Sequence, residues 1–139
     1  MMEKSIFSEL QFDSDTKNYN GKVEFNNEDF IDLTISIETF DKDIVFKLAE
    51  SIFKTIKELE ETYKESMAED LLTLHNETWN DKSITSKTEF INRIKLEGIL
   101  FFCDGNAELY YNDGDLFWGH TIVVDINENG QYQDSQIYG

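Results

Sequence analysis

Residues 29–63, DFIDLTISIETFDKDIVFKLAESIFKTIKELEETY, change their hydrophobic period once, and that change decides the fold class. Over 29–38 the apolar residues alternate. Ile31, Leu33, Ile35 and Ile37 face one way, and Phe30, Asp32, Thr34 and Ser36 face the other. A period of two marks a strand with one buried face. From Asp41 the period becomes helical. Asp41 is placed to cap the N-terminus, and Asp43 falls in the first turn, where the helix dipole favours an acid. Val45, Leu48, Ile52, Ile56, Leu59 and Tyr63 then recur at steps of three and four, while Lys47, Glu50, Lys54, Lys57 and Glu58 fill a solvated face.

Downstream, a second helical run follows: Ala68, Leu72, His75 and Trp79, with Met67, Leu71 and Leu74 alongside. No Pro or Gly separates the two runs, so one long helix and two helices bent near 61–66 both fit. Asn80 to Ile84 reads as a loop. Ser86-Lys-Thr-Glu89 has the capping-box pattern and predicts a short helix over 86–95. From there the chain turns to strands. Residues 97–103 lead into Asp104-Gly105, a hairpin dipeptide, and 106–111 return. Asn112 to Asp115 forms another turn, 116–127 a long strand, and Asn129-Gly130 a further hairpin before 131–138.

Upstream, residues 5–12 and 22–26 are short strand candidates with Asn20-Gly21 between them. The order is strands, helices, strands, over about 5–38, 41–95 and 97–138. The expectation is one α+β domain over 1–139, with a mostly antiparallel sheet packed against the central helical segment. Trp79 and Trp118 are expected in its core.

Composition agrees with a folded domain. The 139 residues are 40% hydrophobic and 14% aromatic, enough apolar material for a core despite the charge. There is no proline, repeat or low-complexity tract to mark a linker. The one cysteine, Cys103, allows no internal disulfide and fits a reducing compartment. It follows Ile99-Leu-Phe-Phe102, so it reads as a small buried hydrophobe rather than a nucleophile. The first residues, MMEKSIFSEL, lack the apolar stretch of a signal peptide, and no apolar run approaches the roughly 18–20 residues that span a bilayer. The expectation is a cytoplasmic protein.

Net charge is −17. Such a surface repels phosphate backbones and anionic membranes and favours cations or a basic protein face. The charge is unevenly placed. After Lys95 there is no Lys or Arg, and the acids there are Glu97, Asp104, Glu108, Asp113, Asp115, Asp125, Glu128 and Asp134. Two readings of these carboxylates compete. In one they are turn formers and solvated edges: Asp104 and Asp113 each precede a Gly. In the other, Asp104, Glu108, Asp125, Glu128 and Asp134 make a patch for a basic partner.

The candidate site residues are His75, Trp79, Asp113, Asp115, Trp118 and His120. Taken as part of a strand, His120 shares a face with Trp118, Ile122, Val124 and Ile126, while His75 shares a helical stripe with Leu72 and Trp79. The plain reading is two core-lining histidines. The alternative is one pocket in which two Trp–His pairs meet a carboxylate capable of acid–base work. A metal reading, through Asp104, Asp113, Asp115 and His120, matches neither the EF-hand loop nor the HExxH and CxxC spacings. No GxSxG or Gly-rich phosphate loop occurs. The expectation is therefore no metal, no cofactor and no catalytic residue.

Two stretches carry a resemblance. One is Ala68-x-x-Leu71-Leu72-x-Leu74-x-Asn76-x-x-Trp79, and the other is Tyr111-Asn-Asp-Gly-Asp-Leu-Phe-Trp-Gly-His120-x-Ile122, ending in Ile137-x-Gly139. Phe90 and Leu96-Glu97-x-Ile99 fit between them. Together they resemble a family of small bacterial cytoplasmic domains of unknown function, marked by the Asp-Gly-Asp-Leu-Phe-Trp-Gly-His segment, and the likeness runs from about residue 20 onward. The resemblance implies a stand-alone bacterial domain and names no reaction, substrate or cofactor. Small acidic bacterial domains suggest, by analogy, immunity proteins that mask a basic toxin. The leading expectation is a non-enzymatic binding domain for a basic protein. Its rival is a small-ligand binder or enzyme with a Trp/His/Asp pocket.

Overall fold

The computed structural model describes Phe7 and residues 9–26, 29–79 and 84–138. The strands are β1 (Gln11–Asp13), β2 (Asn18–Asn26), β3 (Asp29–Ser36), β4 (Lys95–Phe101), β5 (Ala107–Asn112), β6 (Thr121–Ile126) and β7 (Tyr132–Tyr138). They form one seven-stranded sheet in chain order. Every neighbouring pair is antiparallel except β3–β4, which is parallel. The exception has a simple cause. Between β3 and β4 the chain crosses the sheet through α1 (Lys42–Leu74) and α2 (Lys87–Arg93), and a crossover returns the chain in its original direction. The architecture is the expected α+β arrangement of sheet against helix.

Helix α1 starts where Asp41 caps it: Asp41 Oδ1 accepts the backbone N–H groups of Asp43 and Ile44. It runs unbroken past residues 61–66 and ends in a π-helical turn, His75–Trp79. One long helix is therefore the outcome. Its buried stripe is Val45, Ala49, Ile52, Phe53, Ile56, Glu60, Tyr63, Met67, Ala68 and Leu71. Leu48 is only half-buried and Leu59 is exposed, so the stripe lies one residue round from the one the sequence suggests. The small Ala49 and Ala68 are part of that buried stripe. Ser86 caps α2 by accepting the Glu89 N–H.

The helix covers the sheet face formed by Ile31, Leu33, Ile35, Ile99, Phe101, Leu109, Tyr111, Ile122, Val124 and Ile126, all nearly inaccessible. Burying each such side chain contributes about 1.5–3 kcal/mol, which holds the layers together. Phe7 anchors one end of the core through ring contacts to Phe46, Phe53 and Phe101.

Three local expectations are corrected. Of the strand expected over 5–12, residues 5, 6 and 8 lie outside the described residues, and strand structure begins at Gln11. Asn20-Gly21 is no turn: both lie inside β2, paired with Thr34 and Leu33. The reversal comes earlier, where Asp13 accepts the N–H of Asp15 through its side chain and that of Lys17 through its carbonyl. The strand expected over 116–127 begins only at Thr121, because Asp113 winds the preceding residues into a loop. The loop expected over Asn80 to Ile84 lies outside the described residues up to 83. Among the described residues, no helix is long and apolar enough to cross a membrane.

Candidate functional site

The uncovered face of the sheet divides into two halves of different charge. On β2 and β3, Lys22 pairs with Asp32 at 3.0 Å, so the N-terminal half carries both signs. On β5, β6 and β7 there is no base. There Glu108 stands opposite Asp125, and Asp125 opposite Asp134, which makes a row of three carboxylates across three strands. Directly opposed like charges disfavour a sheet. Asp125, in the middle, shows the effect: burial, then Glu108, then Asp134 raise its carboxyl from the ordinary value.

Beside the row lies a groove of about 410 Å³ lined by Glu108, Tyr110, Thr121, Val123 and Tyr138. Val123 is its apolar floor, only 7% exposed although it points away from the helix. Tyr110 donates to Glu108 Oε1 at 2.8 Å, and burial followed by that carboxylate raises its phenol to about 12. The groove thus joins an apolar floor to a line of acids. A Lys or Arg side chain has the matching form, an apolar stem with a cationic head. Glu108, Asp125 and Asp134 are legible in the sequence as acids of a patch, whereas Tyr110, Val123 and Tyr138 carry no such mark. The signal that finds them is register: all three share the alternation of Glu108, Asp125 and Asp134.

Asp104 and Glu128 lie elsewhere, both exposed in hairpin turns. Asp104 accepts from the backbone and side chain of Asn106, the turn chemistry expected of it.

The second cluster gathers at the end of α1. Asp113 is buried, with both oxygens spent on backbone. Oδ1 accepts the Asp115 N–H, and Oδ2 accepts those of Phe117, Gly119 and His120. Asp115 and Trp118 consequently take left-handed backbone conformations, with φ of 64° and 59°. The loop is also fastened to α2, since Arg93 donates to the Gly114 carbonyl. Gly114, at φ 57°, lies so close to the Arg93 backbone that a Cβ there would collide with it.

This winding places the aromatic residues differently from a strand. Trp118 is 65% exposed, not in the core, and its indole N–H donates to the Trp79 carbonyl at 3.0 Å. Trp79 is half-buried at the centre, with ring centroids 5.6 Å from Phe117, 4.7 Å from Trp118 and 5.2 Å from His120. His75 is buried against Phe117, its Nδ1 3.3 Å from Asn76 Oδ1. His120 Nδ1 meets the Phe117 carbonyl. A shallow groove of about 620 Å³ is lined by Leu71, Leu74, Trp79, His120, Ser135, Gln136 and Ile137. It takes in Trp79 and His120, while His75, Asp113, Asp115 and Trp118 are not on its wall. Asp115 is exposed.

Cys103 is half-buried in the β4–β5 turn with Sγ 3.6 Å from Glu38 Oε2. Desolvation and the neighbouring acids Glu38 and Asp104 raise its thiol, so the reactive thiolate is disfavoured. Among the described residues, no three His, Cys, Asp or Glu side chains gather closely enough to hold a metal ion. The carboxylate row is spread across the sheet rather than converging on a point.

No curated protein and no solved structure matches this chain. The model of one family, described as uncharacterized protein conserved in bacteria (DUF2262), matches residues 4–137, and the chain belongs to that family.

Proposed function

We propose that this is a non-enzymatic binding domain that recognises a basic protein through the uncovered face of β5, β6 and β7. One observation carries the reading: Glu108, Asp125 and Asp134 stand side by side on neighbouring strands with no Lys or Arg anywhere on those strands. An arrangement whose members repel one another is relieved by a cation laid across it. The adjoining groove over Val123 supplies apolar area for the stems of the cationic side chains. An immunity-like role, with this face masking a basic toxin, is the form of the reading that neighbouring genes test. A large toxin gene directly upstream supports it, and a metabolic operon counts against it.

The test compares the protein with a Glu108→Gln/Asp125→Asn/Asp134→Asn variant as bait in extract of the source bacterium, at low and high ionic strength. The expected result is a basic protein retained by the unaltered bait at low salt, released at high salt and not held by the variant. A partner retained equally by both baits, or none at low salt, overturns the proposal.

A further inference from the structure

We infer that the free edge of β7 takes up an extended segment of the basic partner as an eighth strand, with alternate residues basic and apolar. The inference rests on the basic-partner reading and specifies how the partner is held.

Strand β7 is the last in the sheet. One side pairs with β6 from Thr121↔Tyr138 to Ile126↔Tyr132, and among the described residues no strand pairs with the other. An edge of this kind presents a row of backbone donors and acceptors to any extended chain. Natural edges are commonly guarded by Lys, by Pro or by shortness. The opposite edge, β1, is short, with three residues. The seven residues of β7, Tyr132–Tyr138, include neither Lys nor Pro; the bulge at Gln133 interrupts the strand near its start and leaves Asp134–Tyr138 regular.

A recess reaches this edge on each face, on the uncovered face only at Tyr138. On the uncovered face is the groove reaching from Tyr110 and Val123 to Tyr138, beside the carboxylate row that ends at Asp134 on β7 itself. On the helix side is the groove of Leu71, Leu74, Trp79 and Ile137. That second groove also takes in Gln136, whose neighbours Ser135 and Ile137 point to the opposite face. Its wall therefore runs along the backbone edge.

An added strand turns successive side chains to opposite faces. One set would lie beside Asp134 on β7, with Asp125 one strand further in and within the field of the same cationic heads. The other would meet Leu71, Leu74, Trp79 and Ile137. The complement is a segment alternating basic and apolar residues. A second copy of β7 is a poor occupant, because it brings Asp134 and no base to an edge that is already acidic, on a chain of net charge −17.

The probe is a blocked heptapeptide, Lys-Val-Lys-Val-Lys-Val-Lys, titrated into the ¹⁵N-labelled full chain at low ionic strength. It is compared with the same peptide N-methylated at alternate residues, so that one backbone edge cannot pair, and with a Glu/Val counterpart. The expected result is binding of the Lys/Val peptide about tenfold or more tighter than either control. Amide exchange within Tyr132–Tyr138 should slow in step with it. Equal affinity for the Lys/Val peptide and its N-methylated form overturns strand addition while leaving basic recognition standing. No binding of either basic peptide defeats both. A stable dimer of the protein alone, with β7 amides already protected, assigns the edge to a second copy and overturns the inference.

Discussion

Asp113 Oδ2 accepts the backbone N–H of His120 at 3.1 Å, seven residues further along the chain, and closes the loop that carries Trp118. The same oxygen holds the N–H groups of Phe117 and Gly119, and Oδ1 holds that of Asp115. A single buried carboxylate thus replaces the strand pairing that residues 116–120 forgo. Asp113→Ala would leave the N–H groups of Asp115, Phe117 and Gly119 without their acceptor, while that of His120 keeps the Phe117 carbonyl at 3.3 Å. The expected loss is about 3 kcal/mol of unfolding free energy, since unsatisfied buried donors cost far more than a surface change. Urea denaturation measures it. Near-UV circular dichroism should lose part of the signal of the Trp79–Trp118 pair. A loss under about 0.5 kcal/mol would show the loop to be held by other contacts.

The same loop marks where sequence reading stops. The strand at 29–36 and the helix from Asp41 were legible because each has a clean period and one buried face. Leu116 to Ile126 also alternates acceptably, so periodicity favours one long strand. What overrides it is the reach of Asp113 to residues ahead of it, which has no periodic signature. The two left-handed residues and Gly114 follow from that reach. The acids of the candidate site were legible as composition. Their alignment into a row was not, because it depends on the registers of β5, β6 and β7, and the bulge between Asp125 and Ile126 shifts the last of these.

The hydroxyl of Tyr63, buried on α1, donates to the carbonyl of Gly130 in the β6–β7 hairpin, a contact spanning 67 residues of sequence. It fixes the hairpin that ends in β7 onto the helix. Tyr63→Phe keeps the ring and removes the bond, with an expected cost of about 1 kcal/mol. Gly130→Ala should cost more. Its φ of 77° is left-handed, and a Cβ there would strike Thr55. Thermal melts of the two variants rank them, and the reverse order would mean that the hairpin can shift away from α1.

Alkaline pH should weaken the fold through its tyrosines. Burial raises Tyr63 to about 12, and burial with Glu108 raises Tyr110 to about 12, both from an ordinary 10.0. The unfolded chain ionises first, so stability present below about pH 10 is lost as pH rises toward 12. Phenolate absorbance and far-UV circular dichroism, followed together, should change in one step for these residues. Tyr63→Phe/Tyr110→Phe should move that step to higher pH. Complete phenolate formation with the fold intact would contradict the assignment.

Asp125 separates a binding acid from a merely structural one. Its carboxyl is raised in the folded state, because burial, Glu108 and Asp134 all disfavour the ionised form. The unfolded chain does not share that cost. Stability therefore falls as pH rises through the raised value, and below the ordinary carboxylate range the difference vanishes. Asp125→Asn should accordingly stabilise the fold at neutral pH, with a gain that disappears in acid. In the proposed function the same change should weaken retention of a basic partner, because it removes the middle of the row. Opposite signs for stability and binding are what a site kept for recognition would show. Thermal melts across pH, paired with peptide titrations, measure both. If Asp125→Asn leaves binding unchanged while stabilising the protein, the row is a tolerated strain and plays no part in recognition.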